Sequence, residues 1–97
     1  MRELRFEWDG AKSVANREKH GISFEEAATV FYDDNALLLH DPDHSEDEDR
    51  FLLMGLSIRV RTLVVCHCYR EVHGVIRIIS ARKADRSERE DYNRRLH

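Results

Sequence analysis

Apolar and polar positions alternate over much of this chain, and the places where the alternation changes period mark its elements. Near the N-terminus, Leu4, Phe6 and Trp8 interleave with charged residues over 2–8, the period-2 pattern of a half-buried strand. Asp9 then stands where a helix would be capped. Ala11, Val14, Ala15 and Glu18 fall on one side of that helix as a weak apolar stripe, which stops at Gly21. Ser23 and Glu26 have the spacing of a capping box, and Ile22 and Ala27 that of a hydrophobic staple, so a second short helix is expected through Phe31. A strand-length apolar run, Ala36-Leu37-Leu38-Leu39-His40, follows the turn residues Asp33-Asp34-Asn35. Beyond an acidic loop, residues 51–57, 60–69 and 72–82 form three strand-like segments joined by the short connectors Ile58-Arg59 and Arg70-Glu71, which predicts an antiparallel meander. Asp85 and Glu88 then match the acidic form of the capping box. They open a last helix over 84–96, on which Ala84, Glu88, Tyr92 and Leu96 recur every four residues along one face.

The order β-α-α-β-β-β-β-α describes one α+β domain over residues 1–97, a central antiparallel sheet with helices packed on one face and the other face open. A length of 97 residues leaves no room for a second domain. No apolar run approaches the roughly 18 residues a bilayer requires, and the N-terminus has no basic stretch followed by an apolar one. A cytoplasmic protein with no membrane contact is expected. Cys66 and Cys68 lie two apart in a strand, point to the same side and lack further ligands at zinc spacing, so small buried hydrophobes are expected there.

Charge alters the picture through its distribution. The net charge is -3, yet residues 41–49 hold six acids and no Lys or Arg, while residues 58–97 hold ten Lys or Arg against five acids. A basic half of this kind is the electrostatic footprint of a polyanion-binding surface. His40, Asp41, Asp43 and His44 match no defined metal spacing and read as part of a solvated acidic loop; neither a metal nor a cofactor is expected.

The richest stretch is Arg77-Ile78-Ile79-Ser80-Ala81-Arg82-Lys83-Ala84, a β-branched run ending in a basic cluster, followed by Asp85 to Tyr92 with an acid and a phenol. RNA cleavage without metal needs a base near the 2′-hydroxyl, an acid near the leaving 5′-oxygen, and cations around a phosphorane. Arg77 and Arg82 suit the last role because a guanidinium forks onto phosphate oxygens and stays charged. Strict alternation puts Arg77 and Arg82 on opposite faces of one strand. A bulge or the strand end must therefore intervene, or only one of them serves. Glu88 is the candidate base, or simply the reciprocal member of the capping box. Tyr92 could donate a proton or stack on a base, or could pack the last helix. His67, on a central strand, is either an acid-base group or a satisfied structural histidine. His20 precedes Gly21, where a cation at a helix C-terminus needs no further function.

Taken together, Phe6-Glu7-Trp8-Asp9, Lys19-His20-Gly21-Ile22-Ser23-Phe24-Glu25-Glu26-Ala27, Asp41-Pro42-Asp43-His44-Ser45-Glu46-Asp47-Glu48 with Arg50-Phe51, and the Arg77–Tyr92 stretch resemble the BrnT-type toxins of bacterial type II toxin-antitoxin modules in order and spacing. The resemblance covers nearly the whole chain. It implies a RelE-like fold, a metal-independent endoribonuclease that inhibits translation and growth, and neutralisation by a cognate BrnA-type antitoxin. That antitoxin would carry a ribbon-helix-helix part, through which the complex meets operator DNA. Lys12, Asn16, Lys19 and His20 match the family's N-terminal motif, so Lys12, Lys19 and His20, with Lys83, are the expected RNA contacts. The chain departs from a typical RelE-like site in lacking an adjacent lysine pair on a strand. The competing reading is a non-catalytic module that uses the same basic face to bind protein or nucleic acid.

Overall fold

The computed structural model describes residues 3–41, 49–70 and 74–96. Local signals start and stop its helices where the sequence places them. The Asp9 carboxylate accepts from the N–H groups of Ala11 (2.8 Å) and Lys12 (3.2 Å), opening α1 (Gly10–His20). Gly21, at φ 72°, closes it by donating its N–H to the carbonyl of Arg17. Ser23 Oγ accepts from Glu26 N–H to begin α2 (Phe24–Thr29), which tightens into a 3-10 turn at Val30–Tyr32. α3 (Arg86–Arg95) has the complete reciprocal box between Asp85 and Glu88.

Five strands, β1 (Arg5–Glu7), β2 (Leu37–His40), β3 (Phe51–Leu56), β4 (Thr62–Arg70) and β5 (Val75–Lys83), form one sheet in the order β1-β5-β4-β3-β2. The last three are the expected meander, and β2 adds to β3 antiparallel. β1 is the exception: it pairs parallel with β5, so the sheet is mixed rather than wholly antiparallel. The chain between β1 and β5 runs through α1, α2 and the strands β2, β3 and β4, far longer than the connection a parallel pairing needs. The acidic loop at 42–48 and part of the β4–β5 connector at 71–73 lie outside the described residues.

Helices cover both faces of the sheet, which corrects the expectation of one covered face. Ile22, Phe24, Ala27 and Val30 pack on Leu53, Leu63, Val65, Ile78 and Ala81, making the main core. The neighbouring strand positions Met54 and Val64 point the other way, and there they bury Ala84 and Tyr92. α3 therefore sits on the face opposite α1 and α2, over one end of it. Gly55 is held to hydrogen by close approach, since a Cβ there would stand 2.9 Å from Ala36 Cβ, Asp33 Oδ2 and Val30 Cγ1. Among the described residues no helix is long and apolar enough to cross a membrane.

The expected apolar stripe of α1 faces solvent instead: Val14 is 61% exposed, and the one buried side chain of the helix is Asn16. Its amide works as a short extra strand. Asn16 Oδ1 accepts from Ala81 N–H (3.0 Å), and Nδ2 donates to the carbonyls of Ala81 (2.9 Å) and Ile22 (3.0 Å). β1 stops opposite Arg77, and the amide of Asn16 satisfies the edge of β5 just beyond it. Glu26 also departs from its expected partner. Instead of closing the capping box it is buried, accepting from Ser57 Oγ (2.7 Å) and from both Nε (2.9 Å) and Nη2 of Arg61.

Candidate nucleic-acid interface

A β-bulge decides which arginines share a surface. Cys66 pairs with Ser80 and His67 with Ile78, so Ile79 is an extra residue with no partner on β4. On either side of it, Arg77 faces Cys68 and Arg82 faces Val64, both even-numbered positions of β4. Arg77, Ser80 and Arg82 therefore lie on one face, the one that α3 covers only in part. The parity conflict in the sequence is resolved by the first of its alternatives. With about 3.3 Å of rise per residue, the four residue steps along β4 from Val64 to Cys68 separate the two arginines by about 13 Å along the strand.

Each arginine is held by a carboxylate. Glu7, beside Arg77 on β1, accepts from Arg77 Nη1 at 2.6 Å and lies 3.3 Å from Arg70 Nε. Arg82 forks onto Glu88, with Nη1 to Oε1 at 2.8 Å and Nη2 to Oε2 at 3.0 Å. Glu88 Oε1 also accepts from Asp85 N–H at 2.9 Å, so this one residue caps α3 and orients Arg82. The Arg82 hydrogen bonds hold the Glu88 carboxyl below its ordinary value of 4.5, against an opposing contribution from burial. Such a carboxylate is fully charged and engaged at both oxygens, which makes it a better clamp than proton acceptor.

The basic side of α1 joins this surface at the bulge. Lys12, Asn16, Lys19 and His20 share one helical face and, with Ile79 and Ser80, line a pocket of about 220 Å³. Three of the four residues expected to touch RNA thus converge beside Ser80. Lys83 does not: it pairs with Leu63 and takes the opposite parity to Arg82, standing exposed at the end of β5.

Two candidates lie elsewhere. His67 is wholly buried on the α1–α2 side, edge-on to Phe31, with Nδ1 3.1 Å from the Val65 carbonyl and Nε2 3.3 Å from Tyr69 Oη. Burial lowers its pKa and favours neutral imidazole, so it is a satisfied core histidine. Tyr92, the buried residue of α3, packs that helix on the sheet and donates to Asp33 Oδ2 at 2.6 Å. Burial, with Asp33 adding to it, pushes the phenol up to about 12. His67 lies on the opposite face from Arg77 and Arg82, while Tyr92 shares the Arg82 face but is buried between α3 and the sheet, with its hydroxyl turned to Asp33. Ser80 and Glu7 were not singled out from sequence; the first shares parity with Arg82, and the second alternates with Phe6 on β1. The two cysteines are buried, and burial pushes the Cys66 thiol up to about 11. Among the described residues, no three His, Cys, Asp or Glu side chains gather as metal ligands.

Residues 8–88 match the family described as the ribonuclease toxin, BrnT, of type II toxin-antitoxin systems. The chain belongs to that family. The matched span contains Arg77, Ser80, Arg82, Glu88 and the α1 motif, but neither Glu7 nor Tyr92. The fold is similar to that of the Brucella abortus ribonuclease toxin BrnT, whose crystal structure extends to 1.1 Å resolution. The two superpose with a TM-score of 0.63 at 20% identity, over 87% of this chain and 100% of that one. At that identity the likeness establishes the α+β fold of a BrnT toxin with its five-stranded sheet. No curated protein sequence matches the chain. Membership of a type II system brings with it an antitoxin partner and an RNA target.

Proposed function

We propose that the chain is a cytoplasmic endoribonuclease that cleaves RNA without a divalent metal. The observation that carries this reading is the bulge at Ile79, which brings Arg77, Ser80 and Arg82 onto one face beside Lys12, Lys19 and His20. In this reading the 2′-oxygen attacks the adjacent phosphorus, the P–O5′ bond breaks, and the 5′-oxygen leaves with a proton. Arg77 and Arg82 neutralise the charge that gathers on the phosphorane oxygens, a role in which preorganised donors are most effective. Glu7 and Glu88 fix the two guanidiniums, so little reorganisation remains when RNA arrives. His20 is the imidazole beside Ser80, and an imidazole can both accept the 2′-hydroxyl proton and return one to the leaving oxygen. Lys12 and Lys19 hold the flanking backbone.

The cognate partner in this reading is a BrnA-type antitoxin, which blocks the RNA surface and carries the ribbon-helix-helix part that contacts operator DNA. The test is incubation of purified chain with a structureless RNA in EDTA. Fragments that appear with time and disappear when the antitoxin is added support the reading. RNA that stays intact at enzyme excess overturns it.

A further inference from the structure

Among the described residues, β2 ends the sheet without a proline, a lysine or a bulge to protect its edge. It is the outermost strand, next to β3. Asp41 N–H donates to the Arg50 carbonyl, so the inward-facing pairs of the ladder fall at odd positions and Leu38 turns its N–H and carbonyl outward. The side chains are as unusual as the backbone: Leu38 is 50% exposed on one face and Leu39 47% on the other. At the Leu37 end, Tyr32, Leu56 and Ile58 line a largely apolar pocket of about 410 Å³ that also contains Asp33.

Charge identifies the occupant. Asp34 stands exposed before β2, and Asp41 and Asp49 follow at its other end, Asp49 lying 3.9 Å from His40 Nε2. A second copy paired antiparallel about a twofold axis would bring Asp34 of one chain against Asp41 and Asp49 of the other, and like charges opposed across a sheet repel. A segment with Lys or Arg at both ends of an apolar strand meets both acidic ends favourably.

We infer that β2 is the edge to which the antitoxin adds a strand: an extended apolar segment flanked by basic residues, with one large apolar side chain seated between Tyr32, Leu56 and Ile58. Main-chain bonds to Leu38 supply register and the two leucines supply contact on both faces, the arrangement of strand addition. This inference rests on the toxin-antitoxin reading for its partner, but not on the ribonuclease chemistry.

The test uses the full chain and the antitoxin encoded in the same operon. Hydrogen exchange at the Leu38 amide should be fast in the free chain and slow by at least about a hundredfold in the complex. Leu38→Pro removes only an outward N–H, a change edge strands tolerate. It should weaken antitoxin binding by about thirtyfold or more and leave RNA cleavage by the free chain at the parental rate. Leu39→Lys, which keeps the backbone intact, should weaken binding in the same direction. Unchanged exchange at Leu38 on complex formation, parental affinity in both variants, or self-association of the free chain that Leu38→Pro abolishes would each overturn the inference. A parental chain that binds antitoxin through β2 but leaves RNA intact would support the inference and sink the ribonuclease reading alone.

Discussion

Replacing Glu88 by Gln separates a clamp from a base. In the structure Glu88 is partly exposed and Arg82 more so, so their ion pair contributes no more than about 1 kcal/mol to stability. Gln still serves as the third residue of a capping box, so the Asp85 N–H keeps an acceptor and Glu88→Gln should cost less than about 1 kcal/mol. Glu88→Ala loses both the cap and the fork, about 1.5 kcal/mol together, or a fall in Tm of about 6–12 °C for a domain of this size. Activity follows a different rule. Loss of a general base lowers a rate by about a hundredfold to ten-thousandfold, whereas a loosened Arg82 still carries its charge. Single-turnover cleavage by Glu88→Gln should therefore fall only about three- to tenfold, with a pH profile parallel to the parent's between pH 5 and 9. A drop beyond a hundredfold in a folded Glu88→Gln protein, together with loss of an acidic limb, would return Glu88 to the role of base and refute the clamp.

Three further outcomes follow from the same geometry. Glu26→Gln removes a nearly buried charge from Arg61 and Ser57 and should cost about 3 kcal/mol, measured by urea denaturation. Because the Arg61 hydrogen bond holds the Glu26 carboxyl below its ordinary 4.5, this stabilisation is complete above about pH 4.5 and is lost as pH falls through the folded-state value; the variant's stability should be correspondingly flatter in acid, and an unchanged slope would count against the pair. Tyr92→Phe deletes the bond to Asp33 and should cost about 1.5 kcal/mol while RNA cleavage stays within twofold of the parent; a tenfold loss of activity would move Tyr92 into the site. Replacing Glu46, Asp47, Glu48 and Asp49 by Ser should slow antitoxin association at low salt in stopped-flow and leave cleavage intact or slightly faster, whereas an unchanged association rate would free that loop from any steering role.

The parts of the fold that were legible are those written in adjacent residues. Asp9 with Gly21, Asp85 with Glu88, and the short β3–β4 connector around Ile58-Arg59 each specify a local geometry that tertiary context had no reason to override. The errors lie where a residue answers to a distant partner. Glu26 has the spacing of a cap but finds Arg61 across the core, and a buried charge takes the strongest counterion available. Asn16 stands in the sequence only as part of the N-terminal motif, outside the Ala11, Val14, Ala15 and Glu18 stripe, yet it is the residue that docks α1 on β5. Placement of α3 could have been read from β4: Leu63 to Cys68 is apolar or small at nearly every position, and a strand without clean alternation is covered on both faces. For the site, alternation alone required something irregular between Arg77 and Arg82, but no residue type marks Ile79 as the bulge. His67 shows the opposite limit, since a strand histidine has the same spacing whether it faces substrate or Phe31.

The central claim, that Arg77 and Arg82 form one RNA-cleaving surface, is tested most directly by single-turnover cleavage of a short RNA in EDTA. The parental chain is compared with Arg77→Ala, Arg82→Ala and the double variant, each checked for its native circular dichroism. Each single substitution should slow cleavage by at least about a hundredfold, the order expected for one preorganised contact to the transition state, while RNA binding weakens much less. The double variant should fall well short of the product of the two losses, because the arginines act on the same phosphate. Folded single variants that cut at the parental rate would contradict the account and move the chemistry off this face of the sheet.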